Sequence, residues 1–295
     1  MSEYALFLGC TISYKVPHLE AALRFVLEKL AVRTEDLPFG CCPEPNGIRG
    51  CSSDVWYALA ARNLAVAEER NLDMITCCNG CYETLNYANV QFEADATLLK
   101  RINGFLENVG KRYGGTVKVL HFPQFLHDKV GFDRIRERVV SPLSGLKVAV
   151  HYGCHSLRPK SMNPPEDPEN PRWLWELVEA VLGAHAVHYL DETQCCGAGI
   201  FELSQADSLK LAGRKIRQME QMEANAILVP CPTCYLQFDA GQQLIRRKDR
   251  SGIRGTAVFY LAELLAVAMG AAPDALGMRY HLTRVDPGLL TTGVK

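Results

Sequence analysis

Cysteine placement constrains this chain more than any other feature. Gln194-Cys195-Cys196-Gly197-Ala198-Gly199 sets two adjacent cysteines in front of a glycine turn. Adjacent cysteines cannot bond to each other without straining the peptide between them. Both thiols therefore point outward, and the glycines let the backbone turn tightly around whatever they hold. Cys154 lies upstream and Cys231-Pro232-Thr233-Cys234 downstream, which makes a set of five. The same set occurs earlier as Cys10, Cys41-Cys42 and Cys78-Asn79-Gly80-Cys81. The gaps are 30 and 35 residues in the first copy, 40 and 34 in the second. Ten of the twelve cysteines fall into this repeat, so the rest of the chain reads as scaffolding for two similar sites.

At 295 residues, two domains of roughly 150 are expected. Ser141-Pro142-Leu143-Ser144-Gly145 is the best linker, giving one cysteine-rich domain over 1–145 and a second over 146–295. A net charge of −1 gives no reason to expect a nucleic-acid partner. The first ten residues lack the basic and long apolar regions of a signal peptide. The longest apolar stretch, Val258 to Met269, is interrupted by Glu263 and is too short to span a bilayer. A cytoplasmic protein is expected. In a reducing cytosol, cysteines at C-x-x-C spacing point to metal or redox work rather than to disulfide staples.

The apolar runs Tyr4–Leu8 and Lys147–Tyr152 read as buried strands, each ending at a Gly-Cys pair, Gly9-Cys10 and Gly153-Cys154. Met74–Thr76 and Ala226–Val229 read as strands leading to Cys78 and Cys231, and His185–Tyr189 as one leading to Cys195. Leu19, Ala22, Leu23, Val26 and Leu30 follow helical spacing, as do Leu209, Ala212, Ile216 and Met219. Ser53-Asp54 is positioned to cap a helix from about Val55 to Arg70. Pro43 to Gly47 and Arg158 to Arg172 read as loops, the latter placed to cover a site. Residues from Phe92 to about Val140 read as two or three helices with a strand at Val117–His121. A helix covers about Arg172 to Leu182, and the last runs near Tyr260 to Met269. Strands alternating with helices predict an α/β fold of two pseudo-repeated domains, each a small parallel sheet flanked by helices. Ligands in such sheets gather beyond the carboxyl ends of the strands.

Three readings of the cysteines compete. A structural zinc site takes four ligands in a tetrahedron, so five per copy is one too many, and a vicinal pair suits that geometry poorly. Coincidental thiols explain one or two positions, and Cys51 and Cys77 read as such spares. An iron–sulfur centre has thiolate as its usual ligand and no four-ligand ceiling, because several irons share the ligands and sulfides. Matching Met74–Cys78 to Ile227–Cys231 pairs Cys77 with Pro230, which makes Cys78 the ligand of its C-x-x-C.

The arrangement resembles the cysteine-rich CCG domain family, and within it the B subunits of heterodisulfide reductases. The resemblance covers almost the whole chain. It rests on the Phe7-Leu8-Gly9-Cys10 start, Cys41-Cys42-Pro43, Ala60-Ala61-Arg62-Asn63, Cys78-Asn79-Gly80-Cys81 and His151-Tyr152-Gly153-Cys154-His155. Cys195 to Gly199, Cys231 to Asp239, Ala268-Met269-Gly270 and Val285-Asp286-Pro287 extend it. It implies a catalytic subunit with two noncubane [4Fe-4S] clusters, one held by Cys10, Cys41, Cys42, Cys78 and Cys81, the other by Cys154, Cys195, Cys196, Cys231 and Cys234. It also implies reduction of the coenzyme M–coenzyme B disulfide in methanogenesis. Two electrons are needed, and two clusters passing one each suit that need.

Two protons must also arrive. His155 and His151 flank Cys154 and titrate in a useful range, although His151, inside an apolar run, also reads as a packed strand residue. Sulfonate, carboxylate and phosphate groups on such a substrate need cationic partners, and Arg49, Arg158 and Lys160 lie in loops next to the cysteines. Each of these also fits a solvated surface charge. No flavin or nucleotide fingerprint is present in the sequence, so electrons come from partners. The resemblance implies a ferredoxin-like C subunit and a flavin-containing A subunit of the same complex, with a hydrogenase or formate dehydrogenase beyond. The alternative from the same family is an electron relay in a related sulfur, fumarate or glycolate/lactate oxidoreductase.

Overall fold

The computed structural model describes residues 3–44, 47–248 and 252–291. Residues 45 and 46, in the middle of the expected Pro43–Gly47 loop, lie outside the described residues. The first half runs β1 (Glu3–Phe7), α1 (Gly9–Lys15), α2 (His18–Lys29), β2 (Arg33–Glu35), α3 (Gly47–Cys51), α4 (Ser53–Glu68) and β3 (Asp73–Thr76). It continues with α5 (Asn79–Ala94), α6 (Ala96–Leu106), β4 (Val119–His121), α7 (Phe122–Phe125) and α8 (Phe132–Arg136). The second half runs β5 (Lys147–Val150), α9 (Trp173–Glu176), β6 (His185–Val187), α10 (Gln205–Gln221) and β7 (Ala226–Val229). It ends with α11 (Pro232–Lys248), β8 (Ala257–Tyr260), α12 (Leu261–Ala268) and α13 (Gly288–Thr291).

Two four-stranded sheets result, ordered β2-β1-β3-β4 and β6-β5-β7-β8. Every strand pair is parallel. The fold is thus the same α/β unit twice. In both sheets the strand order reverses between the two central strands, the switch point where such sheets open a crevice. Those strands, β1 and β3 in one sheet and β5 and β7 in the other, are the ones that precede Cys10, Cys78, Cys154 and Cys231.

Burial explains the local structure. All four residues of β7 are buried, as are all four of β8, because helices cover both faces of a parallel sheet. Leu19, Ala22, Leu23 and Val26 form the buried stripe of α2. Leu209, Ala212, Ile216 and Met219 do the same for α10. Helix α12 packs against α2 from the other half, and all its residues are buried. The cap of α4 is Ser52, not Ser53-Asp54; its hydroxyl accepts the Val55 amide N–H at 3.3 Å. Strand β8 occupies the front of the apolar stretch Val258 to Met269, just ahead of the helix expected near Tyr260 to Met269; a run buried on every side carries no period to mark the strand.

The segment after α12 is tied down by a buried pair. His281 Nε2 meets Glu263 Oε1 at 2.8 Å, with no exposed side-chain surface on either residue. The other Glu263 oxygen accepts the Tyr260 amide at 2.9 Å. Burial alone lowers the His281 pKa, but the hydrogen bond and charge of Glu263 outweigh it and the balance is raised. A raised histidine stabilises the fold fully below its unfolded value of about 6.5, and that contribution is lost as pH rises through the folded value. His281→Ala strands a buried carboxylate and is expected to cost about 3–5 kcal/mol. Anaerobic urea unfolding at pH 6 and pH 9 checks both points: the wild type loses stability toward pH 9, and this part of the loss is absent in the variant.

Candidate metal centre

Each cysteine set is assembled by one sheet. Cys10 follows β1 on the first turn of α1; Cys78 caps α5, with Cys81 in its first turn. Cys154 follows β5, and Cys231 precedes α11, which carries Cys234. The vicinal pairs come from the loops after β2 and β6. Helix N-termini beside the C-x-x-C thiols favour the thiolate form. Gly9 and Gly153 have φ of +75° and +78°, a region that side chains rarely occupy. A Cβ on Gly9 would lie 2.7 Å from Cys81 Sγ, and one on Gly153 would lie 2.6 Å from Asn79 Nδ2 and 3.7 Å from Cys234 Sγ. Gly9 therefore makes room for the C-x-x-C of its own sheet, and Gly153 for Asn79, inside the C-x-x-C of the other half. Gly153→Ala is expected to cost at least about 1–3 kcal/mol from backbone strain, read as a lowered melting temperature with reduced metal content.

The ten thiols form one continuous run. In the first half, Cys42 is held down to about 4 by hydrogen bonds from Cys41 and Cys81, and Cys41 is raised by its bond to Cys42. Cys81 also bonds Cys78. In the second half, Cys195 is pulled down to about 2 by Cys154 and Cys196 and accepts the Gly197 amide at 3.3 Å. Cys196 and Cys234 lie 3.4 Å apart. Cys231 falls well below the usual thiol range through bonds from Cys234 and then Cys78. The two sets meet there, with Cys78 Sγ 3.8 Å from Cys231 Sγ. Such a run ionises some of its thiols and offers them to a cation. Among the described residues no disulfide joins any cysteine. Cys77 is fully buried, its thiol raised by burial, and its carbonyl accepts the Tyr260 hydroxyl at 2.7 Å. Cys51 lies exposed at the end of α3.

An orphaned histidine tests whether an iron–sulfur group fits. His151 is fully buried, and neither ring nitrogen has a partner among the described residues. It packs edge-on to Phe238 at 4.9 Å and lies against Cys196 and Cys234, with all three ligand atoms within 4.8 Å of one another. Burial holds it well below the usual histidine range, so it is neutral. A neutral imidazole N–H among thiolates and sulfides finds the acceptor it otherwise lacks. The donor set and the orphaned ring both fit the group.

A cavity of about 550 Å³ opens onto Cys154. Arg49 and Glu83 from the first half line it together with His155, Arg158, Lys160, Asp167 and Glu169 from the second. The structure thus brings His155, Arg49, Arg158 and Lys160 together and buries His151 apart from the cavity lining. The Arg49 guanidinium lies over Tyr87 at 4.2 Å and Trp56 at 4.9 Å, with Nη1 3.6 Å from Glu83 Oε1. His155 Nδ1 is 3.8 Å from Glu83 Oε2, an ion-pair distance longer than a hydrogen bond. Burial lowers the His155 pKa, but Glu83 and then the Cys231 and Cys195 thiolates turn the balance upward. Arg158 is half-buried, donating to Thr193 O at 3.1 Å and lying 3.5 Å from Glu169; Lys160 is exposed.

Two residues of α5 not expected at the site, Asn79 and Glu83, meet the second half. The Asn79 amide donates to Tyr152 O at 2.8 Å and to Ser156 Oγ at 3.1 Å, across the two halves. Glu83 lies four residues further along α5, and one turn of helix places both at the junction. Asn79 also lies inside the Cys78–Cys81 motif, whereas this spacing is the one local signal of Glu83.

Two like parallel sheets, each delivering five cysteines to one central run, define a duplicated cysteine-rich α/β protein. The family model described as "Cysteine-rich domain" (CCG) matches residues 4–86 and 148–239. The B subunit of a ferredoxin/F(420)H(2)-dependent CoB-CoM heterodisulfide reductase from Methanosarcina acetivorans is 36% identical over 95% of this chain and 94% of its own. A protein from Archaeoglobus profundus described as like the heterodisulfide reductase B subunit is 36% identical over 93% of each chain. An 8-methylmenaquinol:fumarate reductase membrane anchor subunit from Wolinella succinogenes is 30% identical over 95% of this chain and 96% of its own. The chain belongs to the cysteine-rich CCG domain family and, within it, to the group of heterodisulfide reductase B subunits. A crystal structure of a hypothetical protein from Helicobacter pylori shares the fold, with a TM-score of 0.78 and 17% identity over 97% of this chain. The chain spans 52% of that protein's chain. Among the described residues no helix is long and apolar enough to cross a membrane.

Proposed function

We propose that this chain is the catalytic iron–sulfur subunit of a cytoplasmic heterodisulfide reductase complex, reducing the coenzyme M–coenzyme B disulfide to two thiols. Cys10, Cys41, Cys42, Cys78 and Cys81 would hold one noncubane [4Fe-4S] cluster, and Cys154, Cys195, Cys196, Cys231 and Cys234 the other. The two sets belong to the units 1–145 and 146–295. The observation that carries this reading is the meeting of the sets at Cys78 and Cys231, 3.8 Å apart, in a chain whose cavity reaches the second set at Cys154. When bound, such clusters supply single electrons, and the reaction takes two electrons and two protons for each disulfide cleaved.

The chain's own residues do the rest. Arg49, Arg158 and Lys160 present cations to the anionic ends of the substrate. Burial lowers the His155 pKa but Glu83 turns the balance upward, which favours the proton-bearing ring as the donor. Glu83 faces the Nδ1 side of the ring, which leaves Nε2 as the donor to a departing thiolate. His151 stays neutral and serves as an N–H donor toward sulfur, stabilising added negative charge without giving up its proton. Electrons would arrive through a ferredoxin-like C subunit from a flavin-containing A subunit.

The similarity to a fumarate reductase membrane anchor subunit favours a second reading, an electron relay without disulfide chemistry. Anaerobic assay of the assembled complex with reduced viologen separates the two. Dye oxidation on adding the heterodisulfide is expected. Oxidation with fumarate or a quinone alone, and none with the disulfide, supports the relay.

A further inference from the structure

The two cysteine sets are alike in spacing and sheet topology but not in the charge beside them. Lys215, in the middle of α10, is 1% exposed. Its ammonium donates to the carbonyl oxygens of Asp191 and Gln194, the latter 3.0 Å away and directly before Cys195. It also lies 5.4 Å from the centre of the Tyr189 ring. Burial lowers its pKa and the charges of Asp191, Cys196, Cys234 and Cys195 oppose that; the balance is about 8, which favours the ammonium at neutral pH.

A buried ammonium needs compensation. Asp191 is already shared with Arg214 at 2.8 Å and with Gln218 at 2.9 Å. Glu192 is engaged by His188 at 3.1 Å and by the Tyr189 amide at 2.7 Å. Beside the shared charge of Asp191, Lys215 has a pair of carbonyls and the negative charge of the second cysteine set.

The first half solves the same problem differently. Lys215 stands sixteen residues before Cys231, and the residue sixteen before Cys78 is Arg62. Arg62 is half-buried and donates to Pro38 O at 2.8 Å. The carbonyl of Cys41 is held by the neutral amide of Asn63 at 2.9 Å. The corresponding helix therefore anchors the vicinal-cysteine loop in both halves, with an amide in one and a buried cation in the other.

We infer that Lys215 is a positioning residue that makes the two centres electrically unequal: it holds the Cys195-Cys196 loop and raises the reduction potential of the centre on the second set above that on the first. The inference rests on the proposed two-cluster reading. Each one-electron reduction adds one negative charge, and a fixed buried cation nearby favours the reduced form. The electron then rests on the set that the cavity reaches through Cys154, beside the substrate.

The test is an anaerobic redox titration of the holoprotein, followed by electron paramagnetic resonance, comparing wild type with Lys215→Met and Lys215→Arg. Lys215→Met is expected to shift one centre at least tenfold toward the oxidised form, a fall of about 59 mV for one electron, and to leave the other unmoved. Lys215→Arg keeps the charge and restores the potential. Asp191→Asn, which removes a negative charge beside Lys215, shifts the same centre upward. This variant decides the matter where Lys215→Met loses iron. Unmoved potentials in an iron-replete Lys215→Met, equal shifts in both centres, or no upward shift in Asp191→Asn would overturn the inference. A wild type that holds no iron refutes the two-cluster reading instead, so the two failures are distinguishable.

Discussion

Alanine at both Cys195 and Cys196 is expected to halve the iron and acid-labile sulfide per chain and to abolish disulfide reduction. Cys195 receives hydrogen bonds from Cys154 and Cys196, and Cys196 lies 3.4 Å from Cys234. Removing the pair takes out the middle of the second run and leaves Cys154, Cys231 and Cys234 too few to close a cluster. The first set keeps its own five thiols, since among the described residues it joins the second run through the Cys78–Cys231 contact. Half the metal with no two-electron activity is therefore the expected pattern, and Cys41→Ala with Cys42→Ala is expected to mirror it. Circular dichroism matching the wild type separates this outcome from unfolding. Full metal content in the double variant would show that the vicinal pair is not a ligand.

Neutralising the cavity cations is expected to act on binding and not on metal. Arg158→Gln together with Lys160→Gln removes two charges that line the cavity. A hydrogen bond to a charged group contributes about 1.5–3 kcal/mol, so KM for an anionic disulfide should rise roughly ten- to a hundredfold. Iron content should stay at the wild-type value, because the Arg158 side chain is held by Thr193 O and Glu169 rather than by a thiol. Arg49 is a harder test, since its guanidinium is stacked over Tyr87 and Trp56 and its loss also disturbs packing. An unchanged KM in the double variant would place the anionic groups of the substrate elsewhere.

Much of this architecture is legible because its signals are local. The fivefold cysteine repeat points to a duplicated fold, and both sheets have the same order. Ala226–Val229 and Met74–Thr76 read as strands because short apolar runs bounded by turns have few other uses. Other features leave no such trace. Strand β2 is three residues, Arg33–Glu35, two of them charged, and has no apolar alternation. Strand β8 vanishes into a stretch that is buried throughout. Helices α5 and α11 begin inside the C-x-x-C motifs, where the chemistry of the cysteines hides the start of a helix. The meeting of Cys78 with Cys231 joins residues 153 apart and exists only once both sheets have folded. Glu83 and Lys215 resemble ordinary helix-surface charges, and tertiary burial alone marks them out.

Iron and acid-labile sulfide per chain, measured on anaerobically purified protein, test the central claim most directly. Two [4Fe-4S] centres require about eight of each per chain, and a paramagnetic signal should appear on oxidation with added thiol. Zinc without sulfide would contradict the redox account altogether, and about four irons with no response to thiol would leave a relay in place of the reductase.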